Sequence, residues 1–197
     1  METIILASTS PRRQEYFRLL GLPFTVVAPP VDESFDPRAD VYSLVKELAL
    51  KKARAVSDLL ASRGESPPWI CGADTLVTLE GLIYGKPEDK PDARRMILDL
   101  QGKTHEVVSA VALFNGRENR YDCRTVASEV TFAPLSEAEI EWYLDSGEYH
   151  DAAGAYKIQG LAACFVTAIH GSYSSIVGLP LHTFYVMLRE NGYQYGA

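Results

Sequence analysis

Short apolar runs alternate with stretches of helical period from one end of this chain to the other. That alternation predicts an α/β fold, a central sheet with flanking helices, rather than a helix bundle or a β-sandwich. The first apolar run ends at Ser8-Thr9-Ser10. Residues 11–20 then read as a helix with Ser10 at the N-cap, Pro11 in the first helical position and Gly21 beyond its end. Residues 24–27 predict a strand stopped by Pro29-Pro30, and Asp40 caps a long helix to about Arg63. Strands are expected at 69–71, 76–79 and 82–84, the last two joined through Glu80-Gly81. Pro91 opens a helix that Gly102 closes, and residues 104–114 and 120–132 form paired strands around Asn115-Gly116. Ser136 and Glu139 make a capping box for a helix ending at Gly147. A strand over 162–169, a turn at Gly171 and a final helix from Pro180 follow. No Pro-, Gly- or Ser-rich linker interrupts the series, so the expectation is a single domain over 1–197 whose two lobes share one sheet.

A net charge of −7 argues against broad binding to nucleic acid or anionic membrane, so any phosphate site must be a local basic pocket. Neither a secretory signal nor a span of ~20 apolar residues is recognised, and a cytoplasmic protein is expected. Cys71, Cys123 and Cys164 are odd in number and widely spaced, which fits reduced thiols and neither a disulfide nor a structural zinc. His105, His150, His170 and His182 lack metal-ligand spacing and read as structural.

Local basic chemistry is concentrated at the start. Arg12 and Arg13 fall in the first helical turn, where the helix dipole disfavours each cation by ~0.3–1 kcal/mol. A bound anion would resolve that conflict, and the hydroxyls of Ser8, Thr9 and Ser10 would add donors to a phosphate clamp; a capped helix with two solvated arginines is the plain alternative. In the long helix Lys52 lies among Leu48, Val56 and Leu59 on the apolar face, where it either snorkels or meets an anion in a cleft. Asp74 follows Cys71-Gly72-Ala73 and can bind a cation, take a proton from water or cap a turn. Lys86 sits in a Gly-Lys-Pro turn that lacks the surroundings of a P-loop. Asp32 and Glu33 are adjacent carboxylates suited to a hard cation or to solvent. Gln159, between Ile158 and Gly160, can read a base edge or serve as a structural amide.

Together these segments resemble the Maf family of nucleoside triphosphate pyrophosphatases. The likeness is carried by Ile4 through Arg13, VDE at 31–33, LALKKARAV at 48–56, GADT at 72–75, GKP at 85–87, AGAY at 153–156, IQG at 158–160 and VGLP at 177–180. It implies a mixed sheet with two lobes flanking a deep cleft, related in shape to the inosine triphosphate pyrophosphatases. The implied reaction is hydrolysis between the α- and β-phosphates of a nucleotide, with a divalent cation, Mg²⁺ or Mn²⁺. Asp74 becomes the proton acceptor and, with Glu33, a metal ligand; Ser8, Arg13, Lys52 and Lys86 become phosphate ligands. Arg12, Thr75 and Gln159 match the branch that acts on dTTP and UTP at its three substrate-selecting positions, against the branch that acts on 7-methyl-GTP. Two residues depart from the first branch's DKAGAYGIQG string: Ala152 replaces its lysine and Lys157 its glycine. Lys157 matches a lysine of the 7-methyl-GTP branch, so a broadened or shifted base preference is the alternative reading of substrate. The implied role is removal of particular pyrimidine nucleotides from the pool. A nucleotide-sensing protein that arrests septation without catalysis is the competing class, and a phosphatase or kinase on the same clamp a further one. The oligomeric state, a homodimer among the options, is left open.

Overall fold

A computed structural model describes residues 1–195. In chain order its elements are β1 (Ile4–Leu6), α1 (Pro11–Leu19), β2 (Phe24–Val26), α2 (Val41–Ser62), β3 (Trp69–Leu79), β4 (Leu82–Tyr84) and α3 (Lys90–Leu100). There follow β5 (Thr104–Asn115), β6 (Arg120–Phe132), α4 (Glu137–Asp145), two 3₁₀ turns (Ala153–Ala155 and Leu161–Phe165), β7 (Val166–His170), α5 (Tyr173–Val177) and α6 (Leu181–Glu190). The seven strands form one mixed sheet in the order β2-β1-β3-β5-β6-β7, with β4 paired to β3. Among the described residues no helix is long and apolar enough to cross a membrane.

The sheet forks at β3. On one edge β3 pairs along nearly its whole length with β5, from Trp69↔Asn115 to Thr78↔Glu106. On the other it pairs with β1 only at Ile70 and Cys71, and with β4 only at Val77, Thr78 and Leu79. Residues 72–76 therefore have no strand beside them on that edge among the described residues, and a cleft enters there. The core divides on the same line. One apolar cluster joins α3, α4 and the turns after α4 around Ile97, Phe132, Tyr143 and Phe165. Two others pack α2 on one face of the sheet, and α1 with α6 on the opposite face.

Two strand expectations differ from the structure. Residues 69–71 and 76–79 belong to one continuous strand, so Asp74 lies inside β3 rather than in a turn after a short strand. Gly72 lets a neighbouring backbone come close: a Cβ there would lie 2.9 Å from the Ala53 amide nitrogen and collide with the Ala49 carbonyl of α2. The strand expected over 162–169 begins only at Val166, because Leu161–Phe165 winds as a 3₁₀ turn that buries Ala162 and Phe165. Helix α5 was not anticipated; five residues are too few to show a helical period. The caps fare unevenly. Asp40 accepts from the Ser43 amide, and Ser136 with Glu139 forms the full capping box. Ser10 stands at the N-cap of α1, yet its side chain makes no capping bond.

Candidate active site

Strand alternation points Asp74 and Thr75 to opposite faces of β3 at the fork. On the Asp74 side the close approach of α2 over Gly72 brings Lys52 alongside. Lys52 Nζ donates to Asp74 Oδ1 at 2.5 Å and lies 3.0 Å from Glu33 Oε1. Asp74 is 7% exposed, and its second oxygen has no hydrogen-bond donor among the described residues. That oxygen is the group able to accept a proton from water in the cleft. The neighbouring acidic residue turns elsewhere: Asp32 accepts from the Ser34 amide, and its carbonyl takes the Lys51 ammonium. Glu33, not Asp32, is thus the carboxylate that joins Asp74.

On the Thr75 side Arg13 is buried, and its guanidinium is held by neutral oxygens alone among the described residues. Nε donates to the Gly178 carbonyl at 2.8 Å, Nη1 to Ser8 Oγ at 3.1 Å and Nη2 to Thr75 Oγ1 at 3.4 Å. Burial pulls its pKa down from the ordinary arginine value, with the Asp74 charge opposing and the Arg12 charge adding to the shift. A buried cation without an adjacent carboxylate is costly unless an anion arrives. Ser8 likewise has bonding capacity to spare. Its oxygen accepts from Arg13 and, at 3.2 Å, from the Ser10 amide. Both lone pairs are then in use, and its proton is left to donate to something else.

The far wall is more open. Lys86 Nζ lies 2.6 Å from Asp151 Oδ1, both side chains 59% exposed. The Asp151 carbonyl accepts from Arg12 Nη2 at 3.1 Å, and the Gly154 amide donates to the Gly85 carbonyl at 3.0 Å. Burial raises the Asp151 pKa, but the Lys86 hydrogen bond and charge outweigh it and hold the carboxyl below its usual value. Lys157 is half-buried and Gln159 exposed, and both line the cleft. All nine predicted site residues, Ser8, Arg12, Arg13, Glu33, Lys52, Asp74, Thr75, Lys86 and Gln159, border this one cleft of about 680 Å³.

The cleft also uses residues that sequence reasoning did not single out as site residues. Asp151 ties Lys86 to Arg12, and its left-handed φ of 58° is a conformation no composition argument reveals. Ser109 and Gly178 stand behind Thr75 and Arg13. A serine in the apolar run of β5 was the available signal for Ser109.

The fold and cleft define an α/β protein whose forked sheet presents an acid, a lysine and a buried arginine to one anion-sized space. The chain belongs to the Maf family: the family model described as "Maf-like protein" matches residues 3–191. It is 45% identical over 196 residues to the dTTP/UTP pyrophosphatase of Symbiobacterium thermophilum, covering 98% of this chain and 96% of that one. It is 49% identical over 184 residues to the dTTP/UTP pyrophosphatase of Shewanella frigidimarina, covering 90% and 91%. Among solved structures, the Ham1 protein of Staphylococcus aureus aligns with a TM-score of 0.45 at 12% identity, over 67% of this chain and 72% of that one.

Proposed function

We propose that this protein is a nucleoside triphosphate pyrophosphatase that hydrolyses dTTP and UTP to the monophosphate and pyrophosphate. The observation that carries the reading is Arg13, a buried guanidinium with only neutral partners, facing the same cleft as Asp74. The curated relatives bear the name of that activity. A sensor would need the arginine but no acid with a free oxygen beside it, so the Asp74 side favours catalysis.

In this reading Arg13, the Ser8 hydroxyl and Lys86 hold the phosphate chain. Lys52 stands between the two carboxylates and is within reach of phosphate oxygens that enter. Asp74 takes a proton from a water as that water's oxygen bonds to the α-phosphorus. The bond from the α-phosphorus to the bridging oxygen breaks, and pyrophosphate leaves with its developing charge stabilised by the surrounding cations. Arg12 and Gln159, on the open wall, contact the nucleoside end.

The donor set also fits a hard divalent cation. Glu33 and Asp74 already converge on one positive charge, the Lys52 ammonium. Such cations are commonly held by one or two carboxylates with the substrate's phosphates completing the shell. Mg²⁺ or Mn²⁺ on Glu33 and Asp74 would supply charge neutralisation at the phosphates and a more acidic water.

The test is pyrophosphate release from a panel containing dTTP, UTP and 7-methyl-GTP with Mg²⁺ or Mn²⁺, for wild type and Asp74→Asn. Turnover of the pyrimidine nucleotides that vanishes in the variant is expected. Tight binding without turnover in both proteins, or orthophosphate as the product, would overturn the reading. The half-buried Lys157 on the cleft wall favours one secondary reading, a preference extended toward 7-methyl-GTP, and the same panel decides it.

A further inference from the structure

Two of the three acceptors that hold Arg13 are connected to one residue of the neighbouring strand. Ser109 is fully buried on β5, directly across from Thr75 in the sheet register. Its hydroxyl donates to the Ser175 carbonyl at 2.6 Å. A hydroxyl carries one proton. The 2.7 Å contact between Ser109 Oγ and Thr75 Oγ1 must therefore run from Thr75 to Ser109. Thr75 thus turns its proton away from Arg13 and presents lone pairs to Nη2. The bond to Ser175 also ties α5 to the sheet. Gly178 caps the end of helix α5, and its carbonyl takes Arg13 Nε. Gly178 has φ 131°, a conformation unfavourable to side chains, and a Cβ there would sit 3.7 Å from Thr75 Oγ1 and 3.8 Å from Arg13 Nε. The acceptor cradle is built around the guanidinium, and Ser109 bonds to both its Thr75 side and its α5 side.

We propose that Ser109 is a positioning residue for Arg13, setting the polarity of the Thr75 hydroxyl and, through α5, the place of the Gly178 carbonyl, so that the guanidinium is aligned for a phosphate chain. This rests on the reading of the cleft as a triphosphate site. It also moves Thr75, one of the substrate-selecting matches, to the phosphate side of the cleft: its oxygen serves Arg13. Without Ser109 the Thr75 proton loses its acceptor, and the hydroxyl is no longer held with its lone pairs toward the Arg13 N–H.

A double-mutant cycle tests this, using Ser109→Ala, Arg13→Met and the pair. Ser128→Ala serves as the control for the Thr75 route: Ser128 is buried on β6 and also ties α5 to the sheet, accepting from the Ser172 amide at 3.0 Å and lying 2.8 Å from Ser175 Oγ, but it has no bond to Thr75. Ser109→Ala should raise KM for dTTP ~10-fold, the scale of a weakened hydrogen bond to a charged group, with kcat much less affected. Its effect on kcat/KM should vanish to within about twofold in the Arg13→Met background. Equal fold-changes in both backgrounds would overturn the proposal, as would a KM effect no larger than that of Ser128→Ala. Calorimetric binding of inorganic tripolyphosphate to wild type, Ser109→Ala and Ser128→Ala separates the two failures. Weaker binding in Ser109→Ala alone supports the positioning role even if wild type proves unable to hydrolyse dTTP. A wild type that does not bind tripolyphosphate overturns the proposal together with the functional reading.

Discussion

The floor and the rim of the cleft are built by different means. On the floor, Asp74, Lys52 and Arg13 are fixed by a strand interior and two helices, and all three are largely shielded from solvent. On the rim, Lys86 and Asp151 are exposed, and the loop from Asp151 takes left-handed φ values of 58° at Asp151, 68° at Gly154 and 62° at Ala155. Packing against β3 and the helices holds the first region; turns and one exposed ion pair hold the second. On the proposed function, the proton acceptor lies on the packed floor and the contacts to the nucleoside lie on the rim. Substitutions on the two walls should therefore fail in different ways.

The largest effect belongs to the floor. Asp74→Asn keeps the shape of the side chain and removes its proton-accepting capacity. A fall in kcat of about 10³ is expected, within the range of general-base contributions, with nucleotide binding retained in calorimetry. An unchanged kcat would remove the floor's claim to the chemistry. Next is the joint beneath the rim. His105 Nε2 lies 2.8 Å from the Tyr156 hydroxyl, and its Nδ1 has no partner among the described residues. Burial pulls its pKa down from 6.5 to about 4. The folded state thus prefers the neutral ring. This contribution is complete above the unfolded pKa and is lost as pH falls from 6.5 toward 4. Its size is on the order of 3 kcal/mol. Chemical denaturation of wild type and His105→Asn across that window checks it, since the variant's stability should decline less. Parallel declines would show that other groups set the acid limit. Gly72→Ala comes third. Forcing a methyl against the α2 backbone should destabilise the fold by ~1–3 kcal/mol and move Lys52 off Asp74. A variant with wild-type stability and kcat would mean that α2 adjusts freely, against the picture of a rigid floor.

How far the sequence announced this site follows the same division. Lys52 was legible because helical period put a charge on an apolar face, and packing then carried it to Asp74. The fork in the sheet was not. Asp74 looked like a turn residue after a short strand, and the partner that needs a glycine at position 72, the backbone of α2, is visible only in the packed structure. The choice of Glu33 over Asp32 depends on which carboxylate the local chain turns inward, and adjacency in sequence does not encode that. Ser109 and Asp151 act through partners 66 and 65 residues away in the chain, Ser175 and Lys86, beyond the reach of any local pattern. The flanking elements were easier to read because caps such as Asp40 and Ser136 are local devices.

The rim supplies the smaller effects. Lys157 occupies the cleft wall where the resemblance expects glycine, and Ala152, where it expects lysine, is buried at 3% exposure. If Lys157 has taken over the missing cation's task, Lys157→Gly should lower kcat/KM for dTTP ~10-fold, about the worth of one charge-assisted hydrogen bond, without altering fold stability. Unchanged kinetics would sink the substitution idea and leave Lys157 a solvated side chain. Asp151→Asn tests the rim at its most exposed point. An ion pair with both partners open to solvent is worth only ~0–1 kcal/mol, so the melting transition should barely move. Yet the Asp151 carbonyl still holds Arg12, while Lys86 gains freedom to meet phosphate. KM for dTTP should accordingly fall or stay level, by no more than a fewfold. A large rise in KM would show that Asp151 places Lys86 rather than competing with the substrate for it, and the rim would then be as tightly specified as the floor.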